Sequence, residues 1–169
     1  MKDIMGIPQI KQVNNFLLQG NDDKIQAIQH IEFERMEQQA GWNLNAIFYG
    51  LKRLMLAAEK NECLYPVYNA KEMKEDPEKK DVNIIHFPAD NKSEVRPYII
   101  ICAGESYSSV CLIREAYPMA ARFNDLGYHV FVLNYRLGGE GMFPKPMEDL
   151  AAAIQYIIRN EERLLDCNV

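Results

Sequence analysis

The stretch Pro97-Tyr98-Ile99-Ile100-Ile101-Cys102 decides the fold, because it is a nearly continuous apolar run. Such a run is typical of a strand that is buried on both faces in a parallel sheet. A second run, His129-Val130-Phe131-Val132-Leu133-Asn134, follows a segment with helical apolar spacing that ends at Gly127. A strand, a helix and a second strand in succession predict an α/β fold with a parallel strand pair.

The segments on either side extend this unit. Downstream, an amphipathic pattern predicts a helix that begins at Pro146 and ends near Asn160. Upstream, residues 82–87 are predicted to form a strand, and residues 65–68 a short edge strand, where a proline is tolerated. The charged run 71–81 between them is interpreted as a solvated loop.

The first part of the chain has a different pattern. Apolar residues recur at helical spacing through most of residues 1–62, and Gly20-Asn21-Asp22 marks a turn within that part. Asn43 is placed to cap the clearest of these helices. We expect residues 1–62 to form a helical N-terminal segment that packs on a core built from residues 63–169.

The predicted sheet is incomplete. A helix such as 146–160 normally leads to another parallel strand, but Asp166 and Asn168 make residues 164–169 a poor strand. Residues 97–102 or a neighbouring strand would then form an apolar edge with unpaired backbone groups. We expect self-association or a partner chain at this open sheet edge.

Composition excludes several classes of function. The 169 residues include 19 basic and 24 acidic side chains, a net charge of -5, which argues against a nucleic-acid binder. The longest strongly apolar run, 98–103, is too short to span a membrane, and the N-terminus has no signal-peptide pattern. The four cysteines lack CxxC spacing and are interpreted as reduced thiols, which indicates a cytoplasmic protein.

Two loops are candidates for chemistry, because ligands of open α/β sheets bind beyond the carboxyl ends of the strands. These loops are 103–110 and 135–143. The first contains Gly104-Glu105-Ser106-Tyr107-Ser108, one residue away from a G-x-S-x-G nucleophile elbow. Its helical pattern begins only near Ile113, and Ser108 stands where the elbow has glycine. Ser106 is therefore a weak candidate nucleophile.

Metal and cofactor signals are weak as well. The three histidines, His30, His86 and His129, have no carboxylate or cysteine neighbours at metal-ligand spacing. The first loop has one glycine where a dinucleotide fingerprint needs three, and no P-loop lysine follows it. We expect no metal and no cofactor, and we interpret the histidines as surface or hydrogen-bonded residues.

The two loops resemble those of a known family. Tyr135-Arg136-Leu137, Glu140, Phe143-Pro144 and Glu148-Asp149 before an alanine-rich helix resemble the segment after strand four of hormone-sensitive-lipase-like esterases. Residues 100–107 stand where that group has its glycine-rich oxyanion loop. The likeness is greatest to bacterial esterase/lipase proteins of the acetyl-esterase-like kind, and it covers roughly residues 82–160.

The resemblance implies an α/β hydrolase that cleaves carboxylic esters with a Ser-Asp/Glu-His triad. All three triad residues would lie beyond Val169, so residues 63–169 would be the N-terminal half of the domain, inactive alone. The oxyanion loop would be Gly104, Glu105, Ser106 and Tyr107, with the amides of Glu105 and Ser106 as donors. Tyr135, Arg136, Glu140 and Asp149 would be structural motif residues.

Glu105 departs from the family pattern, which has glycine there. A carboxylate beside a developing oxyanion is repulsive, unless Glu105 faces solvent or a base such as Arg114 or Arg136. Three hypotheses remain open at this point. The chain is the N-terminal portion of a serine esterase, or a non-catalytic binding module on half a hydrolase scaffold, or a small complete hydrolase that uses Ser106.

Overall fold

A computed structural model describes residues 19–20, 32, 35, 37–38, 41–60, 63–89, 98–104, 107–138 and 142–165. Most of the helical pattern predicted for residues 1–40 lies outside these residues. Gln19–Gly20 forms a short strand, β1, which pairs antiparallel with Ser109–Val110. Gly20 of the predicted turn Gly20-Asn21-Asp22 belongs to this strand, and the other two residues of that turn lie outside the described part of the chain.

The predicted strands and helices occur in the predicted order, with further elements between and after them. The helices are α1 (Leu44–Lys60), α2 (Ala70–Glu75), α3 (Leu112–Glu115), α4 (Tyr117–Asp125), α5 (Lys145–Arg159) and α6 (Glu161–Leu165), with a 3₁₀ helix at Pro77–Asp81. The strands are β2 (Leu64–Pro66), β3 (Asn83–Phe87), β4 (Tyr98–Cys102), β5 (Ser109–Val110) and β6 (His129–Asn134). In these residues, no helix is both long enough and apolar enough to cross a membrane.

The main sheet has four strands in the order β2-β3-β6-β4. The strand β3 is antiparallel to both β2 and β6, whereas β4 and β6 are parallel in the register Tyr98↔His129 to Cys102↔Leu133. The α/β fold, the parallel pair and the edge position of β2 are as predicted. All residues of β3 and β6 are buried.

The position of β4 corrects one expectation. The apolar run predicted a strand buried on both faces, but β4 lies at the edge of the sheet and pairs only with β6 among the described strands. Ile101 is its one buried residue, while Tyr98, Ile99 and Ile100 are half-buried and Cys102 is exposed. The expectation of an apolar sheet edge at this strand agrees with the geometry.

Helices cover both faces of the sheet. On one face, the ring of Phe87 in β3 lies 5.9 Å from that of Tyr117 in α4. The helix α1 crosses this region so closely that a Cβ on Gly50 would come 2.7 Å from the backbone of Tyr117. On the other face, Tyr65 in β2 lies 6.5 Å, ring to ring, from Tyr156 in α5.

The charged run 71–81 is helical, which corrects its interpretation as a loop. Asn69 and Glu72 form a capping box, in which the Asn69 side chain accepts from the amide of Glu72 and the Glu72 carboxylate accepts from the amide of Asn69. Asp76 caps the following 3₁₀ helix. No residue of either helix is buried, so the prediction that this segment is solvated was correct.

Local signals at the helix ends behave as predicted, with two refinements. Asn43 accepts a hydrogen bond from the amide of Ala46 at the start of α1 (3.0 Å), and Gly127 has φ +85° after α4. The predicted helix around Ile113 is divided into α3 and α4, because Pro118 has no amide hydrogen to continue it. Residues 161–165, whose last two belong to the predicted poor strand, form the helix α6.

Candidate active-site loops

The loops after β4 and β6 are joined to each other at the carboxyl end of the parallel pair. The Tyr135 hydroxyl donates to the carbonyl of Ala103 at 2.6 Å, and the amide of Gly138 donates to the carbonyl of Tyr107 at 2.9 Å. The rings of Tyr107 and Tyr135 meet edge to face, with 6.3 Å between their centroids. The two loops singled out from the sequence therefore form one structural unit.

The first loop leaves β4 through strained backbone. Gly104 has φ +125°, a conformation that L side chains rarely adopt. Tyr107 has φ +57°, which is uncommon for a residue with a bulky side chain. Positive φ at both positions turns the chain sharply between the end of β4 and the start of β5.

Tyr135 is built to remain a hydrogen-bond donor. Its side chain is buried, and burial, with smaller contributions from neighbours such as Cys102, raises the pKa of Tyr135 to about 12. The phenol therefore keeps its proton at physiological pH. Its hydroxyl therefore remains able to donate to the carbonyl of Ala103 at that pH.

Arg136, the next residue, is the centre of an ion-pair network. Its guanidinium lies 2.8 Å from Asp149, 2.8 Å from Asp76 and 3.1 Å from Glu148. Its backbone amide also donates to Asp149 at 2.9 Å. These contacts join the loop after β6 to the start of α5 and to the segment between α2 and the 3₁₀ helix. The structural interpretation of Arg136 is the one that fits these contacts.

The pair at the centre of this network, Arg136 and Asp149, is buried. Arg136 is only 5% exposed and Asp149 is fully buried. Burial alone would lower the pKa of Arg136, but the hydrogen bond and charge of Asp149 prevail and raise it. The Tyr68 hydroxyl donates to the same carboxylate at 2.7 Å, and burial followed by this hydrogen bond raises the pKa of Tyr68.

Sequence reasoning found some of these residues and missed others. Tyr135, Arg136 and Asp149 were identified through the motif, but Tyr68 and Asp76 were not. Asp149 lies 81 positions from Tyr68, and Arg136 lies 60 positions from Asp76. A capping signal at Asp76-Pro77 was the only local indication that this carboxylate has a fixed position.

Other predicted site residues are not joined to the unit by described contacts. Glu105, Ser106 and Glu140 lie outside the described residues, so their predicted roles remain predictions. Arg114, one proposed partner for Glu105, is exposed and has its guanidinium 5.7 Å from the ring centre of Trp42. Arg136, the other, already contacts three carboxylates.

Two of the three histidines meet where no motif predicted it. His86 Nε2 and His129 Nδ1 are 3.1 Å apart, and both side chains are buried. Burial, and then the charge of His129, lowers the pKa of His86 to about 3. Because His129 begins β6, this pair lies at the opposite end of the strand from the candidate loops. Within the described part of the chain, no group of three or more potential metal ligands occurs.

Comparisons with known proteins agree with the predicted superfamily. Residues 84–166 match the family model BD-FAE, an esterase-like α/β-hydrolase domain. This similarity supports the superfamily resemblance predicted from the loops. No curated protein matches the chain.

Two solved structures are similar to part of the chain. An α/β-hydrolase enzyme, MGS-M1, from a Medee basin deep-sea metagenome library is 29% identical, with a TM-score of 0.44 over 49% of this chain. A putative carboxylesterase from Lactobacillus plantarum WCFS1 is 30% identical, with a TM-score of 0.41 over 51% of this chain. The similarity spans 36% of the length of each of these proteins.

Proposed function

We propose that this chain supplies the N-terminal portion of a serine-type carboxylic ester hydrolase and is inactive alone. It provides the oxyanion loop after β4, while the nucleophile, acid and histidine belong to a segment outside residues 1–169. The family match to an esterase-like domain supports the reaction class. The matched domain contains the joined loops after β4 and β6.

The observation that carries the proposal is the open edge at β4. The loop predicted to hold the oxyanion follows this strand directly, and β4 has no second strand beside it among the described residues. A parallel strand added there would have its carboxyl end next to Gly104. That is where a nucleophile must lie for an amide donor to reach the oxygen it attacks.

The surface around this edge supports a partner. The side chains of Met147, Ile154 and Ile158 on α5 are exposed, and their spacing puts them on one flank of the helix. Tyr156 lies on the other flank, against Tyr65 in β2. We propose that a strand–helix segment, from a longer form of this chain or from a partner, covers β4 and this flank together.

A reconstitution experiment tests the proposal. The chain is co-purified with a C-terminal hydrolase segment of this family that carries G-x-S-x-G and the later acid and histidine. We expect hydrolysis of p-nitrophenyl acetate by the mixture and none by either part. The same mixture with the G-x-S-x-G serine changed to alanine is the control and should be inactive.

The alternative function is a non-catalytic binding module on the same scaffold. Glu105 favours it, because the sequence puts a carboxylate where a hydrolase of this family has glycine. A binding module predicts that the joined parts remain inactive and that a ligand or protein binds at the loop around Gly104. Glu105→Gly separates the two, since it should increase turnover only if the site is catalytic.

A cytoplasmic location remains part of the proposal. The free thiols of Cys102 and Cys111 support this part of the proposal, since thiols stay reduced in that compartment.

A further inference from the structure

The peptide between Ala103 and Gly104 is held in one orientation. Its carbonyl accepts the 2.6 Å hydrogen bond from the buried Tyr135 hydroxyl. Because a trans peptide is planar, the N–H of Gly104 points away from Tyr135. Gly104 is exposed, and no backbone carbonyl of the described residues accepts from this N–H.

The space behind this peptide is closed. A Cβ at Gly104 would overlap the Tyr135 hydroxyl and would lie 3.0 Å from the carbonyl oxygen of Ser109 and 3.2 Å from Val110 Cγ2. Together with φ +125°, this restricts position 104 to glycine.

Contacts of the neighbouring residue and of the ring fix the position of Tyr135. The next residue, Arg136, is fixed to Asp149 by both its amide and its guanidinium. The Tyr107 ring packs on the tyrosine edge to face. The hydroxyl is therefore a fixed point to which the start of the loop is attached.

We propose that Tyr135 is a positioning residue of the oxyanion loop, whose hydroxyl fixes the orientation of the Ala103–Gly104 peptide, the point from which the chain enters that loop. This inference rests on the proposed esterase function for its catalytic consequence. The claim that Tyr135 fixes the Ala103–Gly104 peptide, the structural half of the inference, does not depend on that function. Donors that are aligned in advance are effective because they need no reorganisation when charge develops, and a misplacement of about 1 Å costs about a hundredfold in rate.

The structural half is tested by NMR on the 169-residue chain with Tyr135→Phe, which keeps the ring and removes the donor. A hydrogen bond to the Ala103 carbonyl deshields the Gly104 amide nitrogen through the shared peptide. We expect this resonance to move upfield in the variant. Tyr128→Phe, just before β6, is the matched control and should leave the resonance unchanged.

The catalytic half is tested in the reconstituted hydrolase. Tyr135→Phe should lower kcat by about tenfold to a hundredfold with KM nearly unchanged, because the loop amides contact the transition state more strongly than the substrate. Tyr128→Phe should leave both constants as they are. A merely structural role for Tyr135 would lower the amount of folded protein without changing kcat per active site.

The outcomes separate the two proposals. An unchanged Gly104 resonance in Tyr135→Phe, in a protein whose β3 and β6 resonances are retained, overturns the positioning role. A shifted resonance with unchanged kcat overturns its catalytic consequence. If the wild-type mixture is inactive while the resonance shifts, the proposed function fails and the positioning of the loop stands.

Discussion

Arg136 and Asp149 form an ion pair closed off from solvent, with 2.8 Å between Nη2 and Oδ1. The pair fixes the residue that follows Tyr135 to the first turns of α5. Two partners on other elements, Asp76 and Tyr68, converge on the same pair. The orientation of the loop after β6 therefore depends on a network assembled from three parts of the chain.

Breaking the ion pair between Arg136 and Asp149 should lower the free energy of unfolding strongly. Asp149→Asn leaves the Arg136 charge buried with only its more exposed carboxylates, so we expect a loss of about 3 kcal/mol in the free energy of unfolding. Urea denaturation followed by circular dichroism measures it. Glu148→Gln is the matched control, since its side chain is 56% exposed and its loss should cost under about 1 kcal/mol. Equal losses in the two variants would show that the buried Asp149 contributes no more to stability than the exposed Glu148 does.

Gly104 and Tyr135 should be energetically coupled. Gly104→Ala introduces both backbone strain and overlap with the tyrosine hydroxyl, and Tyr135→Phe removes the overlapping oxygen. In a double-mutant cycle, the double variant should therefore be more stable than the sum of the single losses predicts, by about 0.5–2 kcal/mol. Strict additivity in urea unfolding would show that the two residues do not contact each other.

The buried His86 should make the fold sensitive to acid. Its pKa is about 3 in the folded protein and about 6.5 when unfolded, so between these values the unfolded state binds the extra proton. Stability from this residue is complete above about pH 6.5 and falls as the pH is lowered, by about 2 kcal/mol at pH 5. Denaturation curves at a series of pH values measure this loss.

Carboxylates also titrate in acid, so a variant is needed to assign the effect. His86→Leu replaces the imidazole on β3 with an apolar side chain that does not titrate, and it should flatten the dependence of stability on pH between pH 7 and pH 5. A profile with the same slope as the wild type would assign the acid sensitivity to other groups.

The open edge should make the chain associate. Ile100→Lys introduces a charge at the centre of β4, where edge strands of monomeric proteins often carry one. Sedimentation at increasing concentration should show self-association of the wild type and less of it in the variant. Leu126→Lys, at an exposed position after α4, is the control and should behave as the wild type does. A wild type that remains monomeric throughout would contradict the partner proposal.

The strands could be predicted from the sequence because their side-chain pattern is local. The apolar runs in β4 and β6, and the glycine at position 127 that follows a helix, are each recognised from a few adjacent residues. The edge position of β4 was not apparent from its apolar run, since burial depends on which strands are its neighbours. The α2 helix was not predicted, because the charged run was interpreted as a solvated loop and the capping box of Asn69 and Glu72 was not recognised.

The candidate site was predicted in outline only. The motif located Tyr135, Arg136 and Asp149, but the hydrogen bond from Tyr135 to Ala103 joins segments 32 positions apart. Sequence patterns describe neighbours along the chain and contain no direct information on such pairings. The contact between His86 and His129, 43 positions apart, was missed for the same reason.

The proposed esterase function requires a segment that adds a strand beside β4 and brings the nucleophile to the Gly104 loop. The most direct measurement is p-nitrophenyl acetate turnover by the purified chain, with and without the G-x-S-x-G segment. We predict no turnover without the segment, turnover with it, and its loss when Ile100→Lys blocks the edge. Turnover by the chain alone that disappears in Ser106→Ala would contradict the account and indicate a complete hydrolase.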